Sequence, residues 1–225
     1  MKKFLKTRLM YVIGWIVGYI PLSFMVSVHG RKNISHCGEK YIITANHESY
    51  IDPYIITALF PLCFHLRWIA KRSLRNTKMM MKDAEREVKL LKKRHNGVVK
   101  FLRVAWYKFS VFFARATGTI IIKEGVSTVK RCVDILEKNE GIVGIFPTGV
   151  RRYIDQDMHV HKSFIIMARM TNVPIIPVCL NRIGLMRWHM VIHKPIHPSR
   201  LSDKTFGSTD YERAKNIMRL IDDRF

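Results

Sequence analysis

The chain begins with a long apolar run and then breaks into short apolar runs separated by polar turns. Leu9 to Val28 carries no charge, while Lys2, Lys3, Lys6 and Arg8 precede it and Arg31 and Lys32 follow it. Beyond it, runs rich in Ile, Val and aromatic residues recur at about 24–28, 40–46, 66–70, 119–123, 142–146, 173–180 and 187–193, and read as strands. Pro174 and Pro177 make the sixth of these look irregular or terminal, because proline cannot donate to a ladder. Between the strands the apolar positions shift to helical spacing. Examples are 53–60, the set Val98, Phe101, Leu102, Ala105, Phe109, Phe112 and Phe113, and the stripe Val126, Val129, Val133 and Leu136. A helix from Lys162 to Met170 follows, and a last one carries Tyr211, Ala214, Met218 and Ile221 on one face with Asp210 as its expected cap. Strands alternating with helices give an α/β class.

Twenty uncharged residues would just span a bilayer. Three features point instead to a shallower, monotopic anchor. Pro21 interrupts the run, cations flank both ends, and the domain that follows is itself basic, so both ends prefer the cytoplasmic side. The expected course is a helix to about Tyr19, a turn at Pro21 and a return into the first strand. A single span ranks next, and a signal peptide last, for want of a small-residue cleavage site.

At 225 residues the chain suits one domain with a substantial core. Lys and Arg number 39 against 17 Asp and Glu, a net charge of +22, which calls for an anionic partner: nucleic acid, a membrane surface or a phosphorylated substrate. Between Phe64 and Arg115 fifteen cations face three acids, so more than half of the net charge lies in under a quarter of the chain. Met81, Ala84, Val88 and Leu91 fall at helical spacing in this stretch, and a basic amphipathic helix suits an anionic lipid surface at about 1 kcal/mol per Lys or Arg. The same pattern also fits a solvated face whose apolar stripe packs on the domain. Cys37, Cys63, Cys132 and Cys179 are scattered with no C-x-x-C pair, which favours reduced thiols over disulfides or structural zinc. His189, His193 and His197 are spaced by four, but Pro195 and the β-like Met190-Val191-Ile192 argue against a helix there, so no metal site is expected.

One stretch can carry chemistry. Asn46-His47-Glu48-Ser49-Tyr50-Ile51-Asp52-Pro53 follows the strand-like Tyr41 to Ala45 and precedes a helical run. A histidine becomes a useful general base near neutral pH when a carboxylate holds one ring nitrogen and stabilises the imidazolium. Asp52, five residues on, is close enough for a tight loop to fold it back to His47. On these residues alone a second reading stands beside the first: Asp52 as helix N-cap ahead of Pro53, with His47 a surface residue.

Asn46-His47-x-x-x-x-Asp52-Pro53 resembles the first signature of the glycerolipid acyltransferases, the family that includes 1-acylglycerol-3-phosphate acyltransferase. Further pieces follow in the family's order: Trp68-Ile69-Ala70-Lys71, Gly118-Thr119-Ile120-Ile121-Ile122, Ile145-Phe146-Pro147-Thr148-Gly149-Val150-Arg151 and Val173-Pro174-Ile175-Ile176-Pro177-Val178. The likeness covers about residues 25 to 195. With the apolar N-terminus, this divides the chain into a membrane-associated segment over 1–28 and an acyltransferase domain over 29–225, with a basic helical insertion at about 75–97. The expected fold is a single αβα domain around a mixed, largely parallel sheet of about seven strands.

The implied reaction moves an acyl group from acyl-CoA or acyl-carrier protein to the hydroxyl of a lysophospholipid, 1-acylglycerol-3-phosphate foremost, on the cytoplasmic face of a membrane. His47 would be the base and Asp52 its partner. Arg151 would hold the acceptor phosphate, with Phe146, Pro147, Thr148, Gly149 and Lys71 lining the site, and neither cofactor nor metal is implied. Three positions depart from the family pattern: Thr148 stands where Glu is usual, Val150 where Thr is, and Glu124 where Arg is. A different lysolipid or an amino-lipid acceptor therefore stays open. The reading from charge alone, a non-enzymatic protein that binds nucleic acid or anionic lipid, is opposed for nucleic acid by the apolar Leu9 to Val28 and by the absence of a recognisable nucleic-acid module, so no nucleic-acid partner is expected.

Overall fold

A computed structural model describes residues 9, 11–13, 16, 23–34, 39–49, 51–60, 65–82, 97–122, 127–149, 159–184, 186–202 and 206–222. Among the described residues seven strands form one sheet: β1 (Val26–His29), β2 (Ile42–Ala45), β3 (Leu66–Ala70), β4 (Ile120–Ile121), β5 (Ile142–Ile145), β6 (Ile175–Gly184) and β7 (Arg187–Ile192). Their order is β1-β7-β6-β2-β5-β3-β4. Every neighbouring pair is parallel except β6 with β7, so β1 and β7 run against the other five. The helices are α1 (Asp52–Leu59), α2 (Gly97–Ala116), α3 (Ser127–Glu137), α4 (Ser163–Thr171) and α5 (Asp210–Asp222).

Both faces of the sheet are covered, which explains why its central strands read as unbroken apolar runs. All four residues of β2 are buried. Ile42 points to a cluster with Leu136 of α3, Phe164 of α4 and Ile217 of α5. Ile43 and Ala45 point to the opposite cluster, with Ile55, Ile56 and Leu59 of α1. Burying each such Ile, Leu or Phe stabilises the fold by roughly 1.5–3 kcal/mol. Residues 9, 11–13 and 16 are helical, and Tyr11 is buried in the α1-side cluster with its ring 4.8 Å from His65. Burial pushes the Tyr11 phenol far above its usual range. Leu9, Ile13 and Ile16 are exposed. Among the described residues no helix is long and apolar enough to cross a membrane. Pro21 and the expected turn lie outside the described residues, as does most of the basic insertion, of which 75–82 and 97 are described, 77–82 as helix.

Two expectations need correction. The run 173–180 is not broken at its prolines: β6 is one ten-residue strand with Pro177 inside it. The tolerance has a local cause. The Pro177 carbonyl accepts from His193 N (2.9 Å), just beyond the point where the β7 ladder ends at Val178 and Ile192. The N–H that proline lacks thus falls in the irregular gap between the regular β7 ladder and the isolated bridge of Ile175 with Ile196. At the last helix, the cap is Thr209 rather than Asp210. Thr209 Oγ1 accepts from Glu212 N (3.2 Å), and the Glu212 carboxylate accepts from Thr209 N (3.1 Å), Ser208 N (2.8 Å) and the Ser208 hydroxyl (2.6 Å). This reciprocal box satisfies otherwise orphaned donors of the first turn. Asp210 instead pairs with Arg169 (2.7 Å) and Arg213 (3.1 Å).

Candidate active site

Sheet direction gathers the candidate residues on one rim. Strands β2, β5 and β3 are neighbours and parallel, so the segments that leave their carboxyl ends, His47, Phe146 and Lys71, emerge on the same edge. Ligands of open α/β sheets bind at this edge.

Asn46 anchors the exit of β2. Its side-chain amide donates to Leu180 O (2.9 Å) and its side-chain oxygen accepts from Leu180 N (2.7 Å), so both backbone groups of a β6 residue are met by one buried side chain. The chain then turns back through His47 to Ser49 and enters α1. Asp52 is buried, and its Oδ2 accepts from His47 Nδ1 (2.9 Å), Glu48 N (2.8 Å) and Ser49 N (2.7 Å). The carboxylate therefore faces back into the loop, and no side chain caps α1. Asp52 thus faces the imidazole of His47 and leaves the start of α1 without a side-chain cap. With Nδ1 committed, Nε2 is left without a partner among the described residues, on a side chain 18% exposed. The arrangement suits proton transfer at Nε2.

The imidazole is also held from its flat side. Phe146 stacks on His47 with ring centroids 4.2 Å apart and planes 20° apart, and Trp68 stacks on the far face of the pair at 4.4 Å and 5° from Phe146. Gly144 makes room for this column, since a Cβ there would lie 2.7 Å from the Trp68 ring. Trp68 is tied to α1 as well: its Nε1 donates to Thr57 Oγ1 (2.8 Å), whose hydroxyl donates to Pro53 O (2.5 Å). One indole thus touches the ring under His47 and the helix that begins with Asp52.

The turn after β5 forms as its residues suggest. Gly149 N donates to Phe146 O (3.0 Å), Pro147 and Thr148 are buried, and Gly149 adopts the left-handed φ of 63° that favours glycine. His161 N donates to Pro147 O (2.9 Å) and pins this turn to the start of α4. Arg151 lies outside the described residues, as do Val150 and Glu124. Lys71 is exposed at the end of β3, two strands from β2, and no contact among the described residues joins it to the dyad. Beside α1, Tyr54 sits in an aromatic group with Trp106 (5.4 Å), Phe109 (5.8 Å) and Phe113 (4.6 Å) of α2, and burial raises its phenol above the usual range, against a hydrogen bond with Ser110. The Cys132 thiol is pushed up to about 12 by burial, which leaves it inert as a nucleophile. Among the described residues no group of three His, Cys, Asp or Glu side chains could hold a metal.

A family model described as Acyltransferase matches residues 25–181, well over half of the chain. The chain belongs to the acyltransferase family. The matched stretch of this acyltransferase contains β1 to β5, the His47–Asp52 pair, the turn at 146–149 and Leu180, so the family assignment and the geometry concern the same residues. Among solved structures, the acyltransferase resembles the crystal structure of the 1-acyl-sn-glycerophosphate (LPA) acyltransferase PlsC from Thermotoga maritima, at 21% identity and a TM-score of 0.59, over 96% of this chain and 80% of that one. At that identity the likeness supports a shared fold. No curated protein matches the acyltransferase in sequence. Sequence reasoning named the dyad and the turn. It assigned no role to Asn46 or Trp68, although both stood inside the motifs that pointed to the family.

Proposed function

We propose that this acyltransferase moves a fatty acyl group from a thioester, acyl-CoA or acyl-carrier protein, to the hydroxyl of a lysophospholipid at a membrane surface, with 1-acylglycerol-3-phosphate as the first candidate acceptor. The observation that carries the reading is the convergence of His47 Nδ1 and two backbone N–H groups on one oxygen of buried Asp52. A carboxylate so held fixes the imidazole tautomer, leaves Nε2 as the basic atom, and stabilises the imidazolium when it forms. In the proposed step Nε2 takes the proton of the acceptor hydroxyl as its oxygen attacks the thioester carbonyl. The tetrahedral intermediate collapses with cleavage of the C–S bond, and the thiolate recovers the proton from His47. Direct transfer of this kind uses no covalent enzyme intermediate and no resident cofactor. General-base help of this sort is worth about 100 to 10,000-fold in rate.

Support for the acceptor class comes from the family, from the fold shared with an LPA acyltransferase, and from a charge of +22 suited to phosphate-bearing lipid. Arg151, two residues past the turn at 146–149, is the proposed phosphate ligand, because its planar fork can meet two phosphate oxygens. Thr148 favours a second acceptor reading, since a buried hydroxyl stands where the family's carboxylate is usual. Incubating the full chain with a thioester donor and a panel of lysophosphatidate, lysophosphatidylcholine, lysophosphatidylethanolamine and an amino-lipid decides between them. Transfer to lysophosphatidate that falls at least tenfold in Arg151→Ala supports the first. Transfer confined to another acceptor replaces it, and no transfer to any would contradict the enzymatic reading.

A further inference from the structure

The hairpin between β6 and β7 rises past the rim that bears His47. Leu180 is level with Asn46, to which it is bonded, yet β6 continues to Gly184 before the chain returns at Arg187. Four more residues at about 3.3 Å each carry the tip roughly 13 Å beyond the level of Asn46, the residue before His47. Burial changes abruptly along the way: β6 is buried through Leu180, and Arg182, Ile183 and Gly184 are exposed. Ile183 is 64% exposed and Met186 55%. A third exposed apolar side chain stands on the same rim: Val26 of β1 pairs with Trp188, and Phe24, 86% exposed, lies in the short helical stretch 23–25 just ahead of Val26. Single exposed apolar residues are ordinary, but two at the tip of one hairpin with a third just ahead of the neighbouring strand, in company with exposed Arg182 and Arg187, are not. The tip is also preformed: Arg182 Nε donates to Gly184 O (3.0 Å), and the register shift between Arg182 and Gly184 re-aims the end of the strand.

The geometry points to this hairpin tip, with Phe24 beside it, as a prong that inserts into an anionic lipid bilayer and sets the depth of the active site. Ile183, Met186 and Phe24 enter the acyl boundary, while Arg182 and Arg187 stay with the headgroup phosphates. Interfacial elements sink about 5–10 Å. With the tip at that depth, His47 stands only a few ångströms outside the headgroup layer, within reach of a lysolipid hydroxyl displaced slightly from the surface. The charge of +22 supplies the attraction that brings the chain to such a surface. The inference rests on the reading above that the acceptor is a membrane lipid, and it specifies the surface that meets the membrane.

The test is co-sedimentation of the full chain with vesicles of equal parts phosphatidylglycerol and phosphatidylcholine. The double variant Ile183→Ser/Met186→Ser is expected to partition at least about tenfold less than the parent chain. Ile183→Leu/Met186→Leu is expected to retain partition, which separates insertion from damage to the hairpin. Met170→Ser is the matched control: Met170 is 59% exposed near the end of α4 that leads into β6, at the opposite edge of the sheet, and its loss is expected to change nothing. Equal partition by parent and double Ser variant would overturn the inference. So would self-association of the parent, lost in the double variant with lipid binding unchanged, which would make a second copy the occupant of the tip. Partition is read without turnover, so a chain that docks through the tip but transfers no acyl group contradicts the acyltransfer reading and leaves this one standing.

Discussion

The imidazole of His47 is constrained on two sides by different kinds of force. A charged hydrogen bond to Asp52 fixes the ring's direction, and the column of Phe146 and Trp68 fixes its plane. Trp68 serves both, because its Nε1 reaches Thr57 in the helix that Asp52 opens. Trp68→Phe keeps an aromatic face and loses that donor, so it is expected to lower kcat for acyl transfer about tenfold with little change in KM, since small displacements of a reacting group are costly. Thr57→Val, which removes the acceptor, is expected to lower kcat likewise and to cost about 1–3 kcal/mol of stability for the buried indole N–H it strands. Steady-state kinetics beside thermal unfolding checks both, and a loss confined to stability would assign Trp68 to the core alone. The dyad was legible in the sequence because it is local, two residues five apart between a strand pattern and a helix pattern. The ring column was not, because Trp68 and Phe146 stand 78 positions apart in the chain and meet only through the order of the strands.

At the scale of elements, strand periodicity and helix spacing placed most of the fold, and the failures came where partners lie outside the segment. Pro177 looked like a strand breaker, yet the cost of proline depends on what its nitrogen faces, and here that is an irregular stretch between the end of the β7 ladder and the Ile175–Ile196 bridge. Asp210 looked like a cap because it is acidic and opens α5, but two arginines claim it, and Thr209 with Glu212 performs the capping. The cap has a pH signature. The Ser208 hydroxyl first, and then the backbone N–H groups of Thr209 and Ser208, hold the Glu212 carboxyl down at about 2 from an ordinary 4.5. Folded below unfolded means that the cap's contribution is complete above about 4.5 and is lost as the pH falls toward about 2. Glu212→Gln is therefore expected to melt below the parent at neutral pH and to converge with it toward the acid end. Melting temperatures stepped through that window check it, and a constant offset would show that the carboxylate's charge is not what the cap uses.

At the scale of the molecule, the order β1-β7-β6-β2-β5-β3-β4 explains why the site is where it is. A parallel block of five strands delivers its loops to one edge, and the reversed β7 returns from a hairpin that overtops that edge beside β2. Charge alone allowed nucleic acid as readily as lipid. The family match and the apolar character of the tip favour lipid. In the proposed reaction His47 and Asp52 act as one unit. The most direct measurement is the initial rate of transfer from a thioester donor to the best acceptor for the parent chain, His47→Ala, Asp52→Asn and the double variant. Coupled groups are expected to lose rate together: His47→Ala falls by about 100-fold or more, and adding Asp52→Asn to it costs little further. Transfer that survives His47→Ala, or losses that simply multiply in the double variant, would contradict it.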